Sequence, residues 1–255
     1  MILLTAAILA LVQDSPDLRW KADEERRFTC AWKMSQKAGK PEEPATNVEM
    51  VQEHTAKTTL VKTEKGIELR LQLTRSFVSG TVQGKAIEVL YEDGELKKSP
   101  DGADPELKKK IESLGTLIIA PTGRHDLPPD HYMRKFFQAS GLPIGPHLPA
   151  KAVAVGIEWE GFIEGENRLR PPTKVQFKLS ALEGGLAKIQ MRHAKVRELT
   201  GTFMDEKVEN DSDFDAAGGY CTRSVTRIKV NATREGKPLF ASEGTMEFTM
   251  TPEKK

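Results

Sequence analysis

Few residues of this 255-residue chain stand at spacings that chemistry uses. The strongest acidic pattern is "ENDSDFDAAGGY", where Asp211, Asp213 and Asp215 alternate as the hard oxygen donors of a calcium loop do. Its sixth position is Ala216, where the sharp turn wants glycine, and its twelfth is Thr222, where a bidentate glutamate is wanted. An acidic loop ahead of the strand "YCTRSVTRIKV" is the plainer reading. A second cluster, "GRHDLPPDHY", places His125, Asp126, Asp130 and His131 within seven residues, and imidazole with carboxylate suits zinc. It lacks the His-x-x-x-His spacing of a helix and its two prolines hold it as a loop, so helix N-capping by Asp130 explains it more simply.

Catalytic frames are missing. There is no G-x-S-x-G elbow, and the serine-glycine pairs of "FVSGT" and "QASGLP" lack a strand–turn–helix setting. Neither G-x-G-x-x-G nor a P-loop is present to cradle a nucleotide. The abundant carboxylates offer no pair with separable acid and base roles. The expectation is a non-catalytic protein without a cofactor. Four large apolar residues are the candidates for ligand contact. Met133, Phe136 and Phe137 in "MRKFFQASGLPIG" line a cleft or fill the core, and Trp159 belongs to "LPAKAVAVGIEWEG". The two cysteines, Cys30 and Cys221, form no C-x-x-C pair, which removes zinc-ribbon and thioredoxin readings. In an oxidising compartment they can bridge and clamp the first and last strands; two half-buried thiols are the alternative.

The elements that must position these residues are mostly strands. Ile67, Leu69, Leu71 and Leu73 alternate with polar neighbours, as do Val153, Val155, Ile157 and Trp159. Val175, Phe177 and Leu179 repeat the pattern, followed by Ile228 with Val230 and by Met246, Phe248 and Met250. Polar residues on the second face imply an antiparallel sheet with one side in water. Two short helices are expected between the strands. "DPELKKKIESLG", 104–115, has Asp104 as N-cap, Pro105 at the first position and Gly115 as terminator. "PPDHYMRKFFQASG", 128–141, puts Met133, Phe136 and Phe137 on one side. "LPIGPHLPAK" then cannot be regular structure.

The fold class is therefore mainly β (α+β): a curved antiparallel sheet or half-barrel with two short central helices. Residues 14–255 form a single β-rich domain, with halves at about 16–120 and 148–252 around a helical connector at 104–147. The halves look alike. "VKTEKGIELRLQLTRSFVSGT" and "LSALEGGLAKIQMRHAKVRELTGT" both run strand, turn, alternating strand and a charged stretch closing on Gly-Thr. Trp32 and Trp159 stand near the two starts, which suggests duplicated β-units, although hairpin-rich chains also resemble one another by composition.

Charge bounds the partners. Thirty-eight basic and 37 acidic residues are mixed along the chain, giving a net charge of +1. That leaves no basic footprint for nucleic acid and argues against electrostatic binding to anionic membrane surfaces. The apolar run Ile2–Val12 within residues 1–13 is too short to cross a bilayer, and its length fits the core of a secretory signal. It lacks a preceding Lys or Arg and a clean cleavage site, and a buried terminal strand or helix is the alternative. The expected setting is periplasmic or extracellular, with no stable membrane span. "NAT" at Asn231 accepts a glycan only in a eukaryotic secretory pathway.

"LPAKAVAVGIEW", with "LRWKADEERRFTCAWKMSQK" before it and "FKLSALEGGLAKIQ" after it, resembles a bacterial secreted family of unknown function with an LP-x-K-x-V-x-V-G-x-x-W signature. The likeness implies a curved antiparallel sheet with helices on its concave side, similar to the half-barrels of periplasmic lipoprotein carriers. It implies no catalytic residues. "DEERR" replaces a glycine turn common in that family. Two functions fit: an envelope protein that binds an apolar ligand or lipid in a cleft between sheet and helix, or a structural or protein-interaction module that pairs with an envelope protein and takes no small ligand.

Overall fold

In the computed structural model, residues 15–22, 25–40, 42–64, 66–99, 116–123, 125–126, 145–163, 173–199 and 201–253 are described. They hold thirteen strands: β1 (Arg26–Lys40), β2 (Glu43–Thr63), β3 (Gly66–Val82), β4 (Lys85–Glu92), β5 (Glu95–Lys98), β6 (Thr116–Ile119) and β7 (His125–Asp126), then β8 (Glu158–Ile163), β9 (Thr173–Glu183), β10 (Leu186–Leu199), β11 (Thr202–Asp215), β12 (Tyr220–Arg234) and β13 (Lys237–Pro252). All belong to one open, curved antiparallel sheet. Its spatial order is β8-β9-β10-β11-β12-β13-β1-β2-β3-β4-β5, with β6 added beside β3 and β7 beside β6. Each half of the chain is thus a simple meander, and the two meet where β1 pairs β13. Tight turns such as Gln83-Gly84 and Glu235-Gly236 join the strands, with φ of 51° and 73° in the first and 53° and 75° in the second. Both central residues sit in the left-handed region, which matches the twist of the flanking strands and favours glycine in second place.

The alternation read from the sequence decides which face is buried. Cys30 and Trp32 of β1, Ala56 and Leu60 of β2, Leu69 of β3, Phe177 of β9, Ile189 of β10, Phe214 of β11 and Phe248 of β13 are all at most 2% exposed. Each large side chain buried this way contributes about 1.5–3 kcal/mol. This core occupies one end of the long strands. It is closed there by three irregular segments that run between the sheet's two edges. The amide of Trp20 donates to the Pro121 carbonyl at 2.9 Å, and Leu148 donates to Thr122 at 2.8 Å. The Trp159 indole Nε1 of the opposite edge reaches the His147 carbonyl at 2.8 Å. The Arg19 guanidinium donates to the carbonyls of Pro149 and Ala150, fixing the strap at 145–150.

Some expectations need correction. The strand expected through Val153, Val155, Ile157 and Trp159 begins only at Glu158. Gly156, at φ 92°, turns the chain first, its amide donating to the Leu179 carbonyl. Ile157 is in consequence 49% exposed, while Val153, Val155 and Trp159 pack half-buried against the core. The stretch taken for an acidic loop, Asp211–Asp215, completes strand β11. The helices expected at 104–115 and 128–141 lie outside the described residues; among the described residues there is no helix. Strands β6 and β7, within the region read as a helical connector, were not anticipated.

Candidate functional site: an apolar face that outlasts the core

The core fills only part of the face that β1–β4 and β10–β13 turn inward. Cross-strand register carries that face onward as rows. One row runs His193, Val208, Ile228, Gly244, Gln36, Met50, Gly80, Ile87 across eight strands. The next runs Lys195, Glu206, Val230, Ser242, Ala38, Val48, Val82 and Lys85, apolar in the middle and charged at both ends. Apart from Val208, the apolar side chains of these two rows are only half-buried. Glycines at 80 and 244 leave the face low. Strand alternation places Lys37, Glu49, Lys207, Lys229 and Glu243 on the opposite face.

Between the core and these rows lies a buried polar layer. Asn210 Nδ2 donates to Ser224 Oγ at 2.8 Å and to Thr226 Oγ1 at 3.1 Å. Ser212 Oγ donates to Asn210 Oδ1 at 2.7 Å. These four residues are no more than 3% exposed. Across the sheet the same layer holds His54, paired in register with Trp32 and Ser76. Burial pulls the His54 imidazole down to about 4, so it is neutral at ordinary pH.

The polar face is a lattice of cross-strand ion pairs. Glu53 meets Lys33 at 3.0 Å and Arg75 at 3.5 Å; the Lys33 hydrogen bond, more than any other contact, holds its carboxyl low. Arg223 meets Glu247 at 2.7 Å. A groove of about 650 Å³ crosses this face, lined by Ser35, Lys37, Val51, Lys207, Arg227 and Thr245 among others. Its lining also takes in Gln36, Met50, Gly80, Ile228 and Gly244, so the groove and the first apolar row share the middle of the sheet.

The candidate residues fall as follows. Asp211 accepts from Arg192 at 2.7 Å and from Arg227 at 2.9 Å, and Asp213 pairs with Lys188 at 3.0 Å. Partial burial pushes the Asp211 carboxyl up, but the two guanidinium hydrogen bonds outweigh it and leave it below the usual range. Asp215 accepts from the Gly218 amide at 2.7 Å, closing the β11–β12 turn. Three carboxylates engaged in this way do not converge on a cation, and among the described residues no three His, Cys, Asp or Glu side chains do. His125 and Asp126 form β7, while Asp130 and His131 lie outside the described residues, as do Met133, Phe136 and Phe137. Trp159 stacks on Phe177 at 6.1 Å and is anchored through its indole, so it serves the strap. Cys30 lies in β1 and Cys221 in β12, the strand before the last. Both thiols are free and buried; burial pushes Cys30 up to about 12 and raises Cys221 too.

No protein-family model matches this sequence, and no curated protein does. A solved structure does match. It describes lipid–protein interactions in lipovitellin and superposes with a TM-score of 0.55 at 10% identity. The match covers 90% of this chain but 26% of that one, so the chain spans about a quarter of the lipovitellin chain. At that identity the likeness shows the fold: a large, open, curved antiparallel sheet.

The half-exposed rows were only partly legible. Ile228 and Val230 stand out in the sequence, whereas Val48 and Met50 are hidden in "NVEMVQEH", where Val51 breaks the alternation.

Proposed function

We propose that this protein is a non-catalytic, exported binding module that holds an apolar ligand, such as a lipid acyl chain, against the inner face of its sheet beyond the packed core. The observation that carries the reading is the half-exposed continuation of that face through Val48, Met50, Ile87, Ile228 and Val230. Apolar surface of this extent needs a cover, and contiguous apolar patches mark ligand grooves or interfaces. Lipovitellin, a lipid-binding protein of similar sheet architecture, supports an apolar occupant. The apolar run Ile2–Val12 supports an exported setting. Native mass spectrometry after mild extraction, with fluorescent fatty-acid uptake by delipidated protein, tests it. A bound lipid or saturable uptake is expected, with uptake lost in Met50→Asp/Ile228→Asp protein that keeps its sheet signature. Absence of both lipid and uptake overturns the proposal and favours a protein-interaction module.

A further inference from the structure

The first apolar row differs at its two ends. It finishes on β4 at Ile87, which is apolar, and on β10 at His193, which is basic. Strand β10 turns one side inward from Ala187, Ile189 and Met191, all buried, through His193 and Lys195 to Arg197. Three basic side chains therefore follow one another along the inner face where the core stops. Glu206 of the neighbouring strand lies opposite Lys195 in register and meets Arg197 at 3.3 Å. Arg197 also reaches Thr173 Oγ1 at 3.4 Å. Burial, more than any nearby charge, lowers the His193 imidazole, so at neutral pH it is uncharged. Among the described residues two cations thus share one carboxylate at this corner. Two of its nitrogens, His193 Nε2 and Arg197 Nε, are enclosed without a hydrogen-bond partner among the described residues, whereas buried polar groups ordinarily have one.

We infer that this corner holds the head of a single-chain amphiphile with an anionic head group, a carboxylate or a phosphate, whose chain runs from β10 along the first row toward β4. The inference rests on the apolar-ligand reading and deepens it by giving the ligand a charge and a direction. Lys195, exposed beside the end of the row, supplies positive charge that Glu206 already shares with Arg197. An anionic oxygen is also the acceptor that forms the stronger, charge-assisted bonds with nitrogen donors left without a partner. From His193 to Met50 the row crosses five strand spacings, about 24 Å along the sheet, which is room for one long acyl chain over Val208, Ile228 and Gly244. The opposite direction is less favoured. Ile87 ends the row without charge, and the inward cation of β4, Lys85, lies at a hairpin turn in the second row.

Binding of pyrene-labelled palmitic acid and pyrene-labelled hexadecanol to delipidated protein tests it, since the two probes differ only in the head. At pH 8 wild-type protein is expected to bind the acid at least tenfold more tightly than the alcohol. Lys195→Glu, at an exposed position, is expected to remove that preference, weakening the acid at least tenfold and the alcohol less than about twofold, with the melting temperature unchanged. Displacement of the acid probe by unlabelled palmitate or by hexadecyl phosphate supports the inference, and the stronger competitor tells carboxylate from phosphate; displacement by neither overturns it. Equal affinity of wild-type protein for acid and alcohol overturns the inference and leaves the apolar-ligand reading standing. Uptake of neither probe overturns both. A preference kept in Lys195→Glu but lost in Lys85→Glu puts the head at the other end of the sheet and overturns the inference as well.

Discussion

His54 is a neutral imidazole enclosed by the sheet, and that has a consequence for acid stability. Its folded pKa, about 4, lies below the unfolded value of 6.5. Between these values the unfolded chain binds the extra proton and the folded one does not, so stability is complete above pH 6.5 and falls as the pH drops toward 4. The loss is on the order of 3 kcal/mol. Urea unfolding midpoints measured from pH 7 to 4 should decline with this profile, and His54→Leu should flatten it. Cys30 and Cys221 behave in the opposite direction. Burial keeps both thiols protonated, so iodoacetamide at pH 8 should modify neither in the native protein and both after denaturation without reductant. Mass spectrometry counts the adducts; none after denaturation would reveal a bridge.

At the scale of the element, the buried hydroxyl–amide network fixes how β11 and β12 lie against each other. Asn210 satisfies Ser212, Ser224 and Thr226 together. Asn210→Ala removes these bonds from a dry layer, leaving Ser212 bonded to Ser224 at 3.0 Å, and should cost about 1–3 kcal/mol, read as a lower chemical-denaturation midpoint. Gly161 in β8 is constrained by closeness: a Cβ there would stand 2.6 Å from the Phe177 ring and 2.9 Å from His147 Cβ. Gly161→Ala should loosen the strap and lower the melting temperature by several degrees. Strands were legible because inward Ile, Leu, Val and Phe alternate with charge, as in "GIELRLQLT". The start of β8 was not, because the alternation of "AVAVGIEW" continues through a stretch that Gly156 turns away from the sheet. The role of Asp211 was hidden for another reason. Its partners Arg192 and Arg227 arrive from two other strands, and spacing along one strand carries no trace of them.

Across the whole molecule, hydrogen bonding is even while packing is not. Strands β1 and β13 keep their shared ladder unbroken from Phe28 opposite Pro252 to Gly39 opposite Ala241, yet side-chain burial is concentrated at the strapped end. Local opening follows packing, so hydrogen exchange should be fast at the four far hairpins and slowest around Trp32, Phe177 and Phe248. Uniform protection along the strands would contradict this picture. Ligand loading should slow exchange around Met50 and Ile228 first.

The pairing of β1 with β13 has a consequence for how the protein is made. Phe28 lies opposite Pro252, so the first and last of the described strands, more than two hundred residues apart along the chain, are neighbours in the middle of the sheet. Until β13 emerges, β1 and β12 each present a bare edge, and the two meanders have no seam to share. The same adjacency makes the molecule a natural ring: joining the ends with a short linker and cutting a far hairpin should preserve the sheet while converting its last step of assembly into its first.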